Sequence, residues 1–271
     1  MLWRGIGLQD AMDINRHNPR PTFQPYRPPL RLFAGLAWSV LTLRRRSFAR
    51  DSQMAIERLR PQPEILGAEH IPPSEPCLVT CNHYHRGNRG GWWTGLLVSA
   101  ALAMHRAPEA DRELRWVMTD AWTYPEGTWK SRVLTPLSRW VFRRVARVYG
   151  FVSMPPMPPR PWELEARALA VLRAVREARR AAQNGGMIGL APEGRDVEEG
   201  LGEPPENAGR FIALLVEAGL PILPVGVTEV EGRMRIAFGE LFRPEIPTGK
   251  EARDRLVTRK VMEAIGKAMA G

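Results

Sequence analysis

Apolar residues recur along this chain with two different periods. Leu32, Phe33, Leu36, Val40 and Leu43 follow helical spacing and Arg44, Arg45 and Arg46 close the run, which predicts helix over residues 30–59. An apolar face ending in a basic cluster is the profile of a helix lying in a membrane interface. A helix packed on the protein's own core gives the same periodicity. Ahead of it, residues 1–29 are rich in proline and arginine and end Pro25-Tyr26-Arg27-Pro28-Pro29, a composition that favours an extended leader. From Pro61 short apolar runs alternate with longer helical ones. Strands are expected at 77–81, 114–119, 148–153, 187–191, 222–227 and 234–238, and helices at 92–104, 129–147, 161–183, 206–218 and 250–269. Pro161 suits a first helical position, Asn184-Gly185-Gly186 suits a helix stop, and Glu231-Gly232 suits a turn pairing the last two strands. The alternation predicts an α/β fold over residues 61–271, with a mixed, largely parallel central sheet flanked by helices and an N-terminal helical segment before it.

Composition narrows the partners. The chain has 271 residues, 44% of them hydrophobic, enough to bury a substantial core. Its formal net charge is +10, which points to anionic partners such as lipid headgroups, phosphorylated small molecules or nucleic acid. Only four of the 39 basic residues are lysines, and the arginines are spread from Arg4 to Arg259. With no zinc-finger spacing, RNP-like aromatic run or concentrated basic stretch, nucleic acid is not the expected partner. The longest apolar stretch, residues 32–43, is well short of the ~20 residues a spanning helix needs. No secretory signal is expected at the N-terminus. Cys77 and Cys81 sit four apart in one expected strand, too far apart to bridge easily, so a reducing, cytoplasmic compartment is the simpler reading.

Candidate chemistry gathers at Asn82-His83-Tyr84-His85-Arg86-Gly87-Asn88, where the first apolar strand ends and a helix is about to begin. Ligands collect at the carboxyl ends of strands in open α/β sheets. His83 and His85 lack third and fourth ligands at metal-like spacing, so no metal is expected. Cys81 stands beside the motif, but inside an apolar strand it suits a buried structural role better than a nucleophile's. Arg86 and Arg89 flank the histidine, where they could hold phosphates or stay solvated. Downstream come Ala191-Pro192-Glu193-Gly194-Arg195-Asp196 and Pro221-Ile222-Leu223-Pro224-Val225-Gly226-Val227. The first of these is either a ligand-binding block or a surface turn after a buried strand.

Taken together and in order, Gly67-Ala68-Glu69-His70-Ile71-Pro72, Asn82-His83, Pro192-Glu193-Gly194 and Pro224-Val225 resemble the blocks of the glycerol-phosphate and 1-acylglycerol-3-phosphate acyltransferase superfamily over residues 64–242. The resemblance implies transfer of a fatty acyl group from a thioester, acyl-CoA or acyl-carrier protein, to a hydroxyl of a lysophospholipid, glycerol phosphate or other lipid-like acceptor. It implies no bound cofactor and peripheral association with the inner face of the membrane. His83 would be the general base, Asn88 its orienting partner, and Glu193, Gly194, Arg195, Asp196, Arg86 and Arg89 the substrate-binding set. The chain departs from the family in three places. Asn88 stands where the family has aspartate, Asp196 where it has arginine, and Gly150-Phe151-Val152 lacks the arginine of the second block. An amide can accept a hydrogen bond from an imidazole but carries no charge, and the same exchange in a serine-protease triad lowers turnover by ~10⁴. Glu193, Asp196 or Asp120 could supply a carboxylate instead. The alternative is a catalytically weak or inactive relative that binds lipid or a partner.

Overall fold

The computed structural model describes residues 29–84, 92–107, 110, 113–156, 164–194, 200–205, 208–246 and 249–271. Two helices come first, α1 (Leu30–Thr42) and α2 (Phe48–Ile56). The single helix expected over 30–59 is therefore broken, and local chemistry says why. Leu43 adopts the left-handed conformation that ends α1, and the Ser47 side chain accepts from the Arg50 N–H at 3.0 Å to cap a new helix, satisfying a donor the helix itself cannot. Asp51 in that first turn is buried and takes Arg46 through both oxygens, at 2.7 and 2.6 Å, while the Tyr149 hydroxyl donates to it at 2.7 Å. Burial, with the hydrogen bond to Asp51, raises the Tyr149 phenol above its ordinary value, and Arg46 opposes that rise. The two halves also divide the expectations for the segment. The buried face of α2 includes Ala49, Ala55 and Ile56, whereas Leu30, Phe33, Trp38 and Leu41 of α1 face solvent.

The sheet has seven strands in the order β1-β7-β6-β2-β5-β3-β4. These are β1 (Glu64–Leu66), β2 (Leu78–Cys81), β3 (Leu114–Thr119), β4 (Val152–Met154), β5 (Met187–Leu190), β6 (Ile222–Val230) and β7 (Arg233–Phe238). Every pairing is parallel except β6 with β7. That hairpin turns at Glu231 and Gly232, both with positive φ, as a two-residue type I′ turn requires. Helices α3 (Trp92–His105), α4 (Trp129–Tyr149), α5 (Leu164–Gln183), α6 (Ala208–Glu217) and α7 (Lys250–Ala270) complete the described elements. Right-handed crossovers put α3 and α4 on one face and α5 and α6 on the other. Two hydrophobic cores match that division. One packs α2 and α3 on the sheet through Trp93, Leu97 and Val79; the other packs α5, α6 and α7 through Ala178, Ile212 and Val261.

Several element ends differ from expectation, as where β6 runs past residue 227 to Val230, and two departures are larger. Residues 148–153 are not all strand, because α4 continues to Tyr149 and closes on Gly150, whose φ of 72° and N–H bond to the Ala146 carbonyl form a left-handed cap. Apolar Val148 and Tyr149 fill the buried side of the last helical turn. Strand β1 was not anticipated: three half-buried residues carry no alternation, and their parallel partner β7 lies some 170 residues away.

Candidate active site

β2 is the centre of the sheet, paired with β5 on one side and β6 on the other. From its carboxyl end the chain leaves through α3 toward β3, while the chain leaving neighbouring β5 crosses back through α6 to β6. Adjacent strands whose connections depart in opposite directions open a crevice at their carboxyl ends. His83 and Glu193 are the residues that the two strands deliver there.

The corner holding His83 is fixed from several sides. Asn82 is buried and extends the β2–β6 ladder with its side chain: its amide donates to the Val227 carbonyl at 2.8 Å and accepts from the Val227 N–H at 2.7 Å. A side-chain amide thus replaces a peptide unit at the point where the backbone turns away. The N–H of His83 donates to Glu193 Oε2, and the N–H of Gly202 donates to Glu193 Oε1. Glu193 is 2% exposed, and hydrogen bonds to an ionised acceptor are about twice as strong as neutral ones. Tyr84 donates to Glu229 Oε2 on β6 at 2.8 Å, and its carbonyl accepts from Thr94 Oγ1 at 3.4 Å in the first turn of α3. The backbone carrying the imidazole is therefore tied to β6, to the turn after β5 and to α3. The ring itself is half-buried.

Glu193 reaches this position because the turn after β5 is tight. Gly194 has φ of 65° and its N–H bonds the Ala191 carbonyl at 3.2 Å, a conformation that glycine adopts without a Cβ penalty. Gly194 also lines a groove of about 980 Å³ between the ends of β3, β4 and β5 and helices α5 and α6. Trp122, Tyr124, Met154, Leu172 and Phe211 form much of its wall, and Arg210 is its one charged residue among the described residues. A volume near the top of the roughly 300–1,000 Å³ range of small-molecule sites, with apolar walls, suits a long apolar ligand.

His83 and Glu193 thus meet at the crevice, and Gly194 lines the groove, whose wall includes neither of them. Arg86, Asn88 and Arg89, with His85, and Arg195 and Asp196 lie outside the described residues. Of the carboxylates considered for His83, Glu193 holds its backbone N–H. Asp120 receives Arg143 at 2.9 Å instead, with Arg139 at 4.0 Å. Burial raises both thiols, Cys77 to about 12 and Cys81 further, so neither is poised as a nucleophile. Among the described residues no three His, Cys, Asp or Glu side chains are grouped to hold a metal ion. The roles of Asn82, Gly202 and Glu229 and the existence of the groove were not foreseen; the Asn82–Val227 and Tyr84–Glu229 pairs each join residues 145 positions apart.

No protein-family profile matches the chain, and no curated protein matches it by sequence. Among solved structures, the 1-acyl-sn-glycerophosphate (LPA) acyltransferase PlsC from Thermotoga maritima is similar to it with a TM-score of 0.46 and 15% identity, over 89% of this chain and 91% of that one.

Proposed function

We propose that the chain is a glycerolipid-type acyltransferase that moves a fatty acyl group from acyl-CoA or acyl-carrier protein to the hydroxyl of a lysophospholipid, glycerol phosphate or similar lipid-like acceptor. The observation that carries this reading is the Glu193 carboxylate seated on the backbone of His83, with the next residue, Gly194, lining an apolar groove. It joins two sequence blocks, 110 residues apart, at the place where an α/β sheet binds ligands. The imidazole of His83 takes the proton of the acceptor hydroxyl as its oxygen attacks the thioester carbonyl carbon. The carbon–sulfur bond then breaks, and the departing thiolate recovers the proton from the imidazolium.

In this reading the groove holds the acyl chain. Arg195 offers a planar fork to an acceptor phosphate, with Asp196 beside it, and Arg86 and Arg89 meet the phosphates of the donor. Asn88 accepts from the ring through its amide oxygen. The outward apolar face of α1 gives the chain a peripheral hold on the inner face of a membrane; among the described residues no helix is long and apolar enough to cross one.

The test is transfer of labelled acyl groups from acyl-CoA and acyl-carrier protein to a panel of lysolipids, glycerol phosphate and lipid alcohols. His83→Ala is expected to lower transfer roughly 10²- to 10⁴-fold, and Asn88→Asp to keep or raise it. Turnover unchanged by His83→Ala sinks the base assignment. No turnover with any acceptor, combined with saturable lipid binding in the groove, favours the inactive relative.

A further inference from the structure

The outward face of α4 is built the wrong way round for a helix in water. Its buried side presents Thr135, Ser138 and Ala146 before Val148 and Tyr149 close the last turn, while Trp129, Val133, Leu137 and Trp140 recur at spacings of four, four and three on the outside, which is one stripe of a helix. Their exposures are 62%, 54%, 53% and 44%. Contiguous exposed apolar residues of this size mark an interaction surface. The same helix carries Lys130, Arg132, Arg139, Arg143, Arg144 and Arg147 and no acidic residue. Asp120 answers Arg143 and Arg139. Arg144 lies over the Trp140 ring at 4.5 Å and donates to the carbonyls of Val40 and Leu41, so the apolar face of α1 continues that of α4.

We propose that α4 is a docking face for an anionic lipid surface. The proposal extends the peripheral hold assigned to α1, but it stands on residues of α4. Charge chooses the occupant. A second copy of the chain, packed on this face by two-fold symmetry, would set one cationic helix against another. An anionic bilayer neutralises the arginines and accepts tryptophans at headgroup depth. The link to the groove is Trp122, which lines it, packs edge-on against Phe142 of α4 with ring centroids 4.8 Å apart, and donates its backbone N–H to Ser138 Oγ at 3.0 Å. Trp122 thus joins the docking face to one wall of the groove, whose helices α5 and α6 lie across the sheet from α4.

The experiment is flotation of the purified full chain with vesicles of phosphatidylcholine, alone or mixed equally with phosphatidylglycerol. The wild type is expected to float with the mixed vesicles. Trp129→Ser combined with Trp140→Ser, and separately Lys130→Glu combined with Arg132→Glu, are each expected to lower binding about tenfold. Trp38→Ser reads the α1 contribution apart from them, and His83→Ala should float like the wild type, which separates docking from turnover. Circular dichroism checks folding of each variant. If the tryptophan pair unfolds the chain, the charge pair decides alone. A wild type that stays with neither vesicle, α4 variants that float unchanged, or a wild-type dimer that the tryptophan pair splits would each overturn the proposal.

Discussion

The corner at the end of β2 and the outer face of α4 break the usual distribution of residues in opposite senses. At the corner, polar Asn82 and charged Glu193 are buried, and their side chains accept from three backbone N–H groups between them. On α4, tryptophan, valine and leucine are held out to solvent, while threonine, serine and alanine lie buried ahead of Val148 and Tyr149 in the last turn. Neither arrangement is what stability alone would select, since a buried carboxylate carries a desolvation cost and an exposed apolar stripe forgoes burial. Departures from the inside-outside rule tend to fall at functional sites. The contrast is that the corner is satisfied within the fold, whereas the α4 stripe requires something outside it.

That contrast can be broken at the corner first. His83→Ala is expected to lower kcat/KM roughly 10²- to 10⁴-fold, the span of general acid–base catalysis, while thermal unfolding shifts little. Glu193→Ala removes the acceptor of two backbone donors, at about 1–3 kcal/mol each if both stay buried. Activity should fall with it even though the variant leaves the imidazole in place. Glu193→Gln keeps one acceptor oxygen and should fall between, so chemical denaturation of the pair separates positioning from charge. Asn82→Ala strands the Val227 N–H and carbonyl, and is expected to cost about 2 kcal/mol in the same measurement.

The smallest effect comes from the buried thiols. Cys77 is raised from 9.0 to about 12 in the folded chain, so the folded state keeps its proton where the unfolded state has lost it. By linkage the thiol's contribution is intact below 9.0 and declines as pH rises from there to about 12. Cys81 acts in the same direction. Urea melts on the two sides of that value should show the decline, and a thiol reagent should label neither cysteine until the chain unfolds. Rapid labelling of the native chain would contradict their burial.

Much of the sheet was legible in sequence because its signals are local. The all-buried β2 reads as an apolar run interrupted only by Thr80, and Glu231-Gly232 announces the β6–β7 turn. What was not legible depended on distant partners or on competing local signals. Helical periodicity runs through Leu43, so it does not show the left-handed break after α1, and the apolar residues from Val148 to Val152 read as strand although α4 continues to Tyr149. At the site, His83 and Glu193 were identifiable from their blocks. That Glu193 accepts from the backbone N–H of His83 could not be read from residues 110 positions apart. The inverted face of α4 was hidden for a related reason: helical spacing shows that a stripe exists, but only tertiary packing decides which side turns inward.

The central place of β2 also has a bearing on synthesis. Its two partners begin at Met187 and Ile222, more than a hundred residues after it leaves the ribosome. Long-range parallel pairing forms late because the intervening loop must close before any contact rewards it. The nascent chain can fold α3 locally, but the asparagine clamp has nothing to grip until Val227 emerges. His83 therefore acquires its fixed setting only when most of the polypeptide has been made, so a truncated translation product would retain the histidine and lack the corner that orients it.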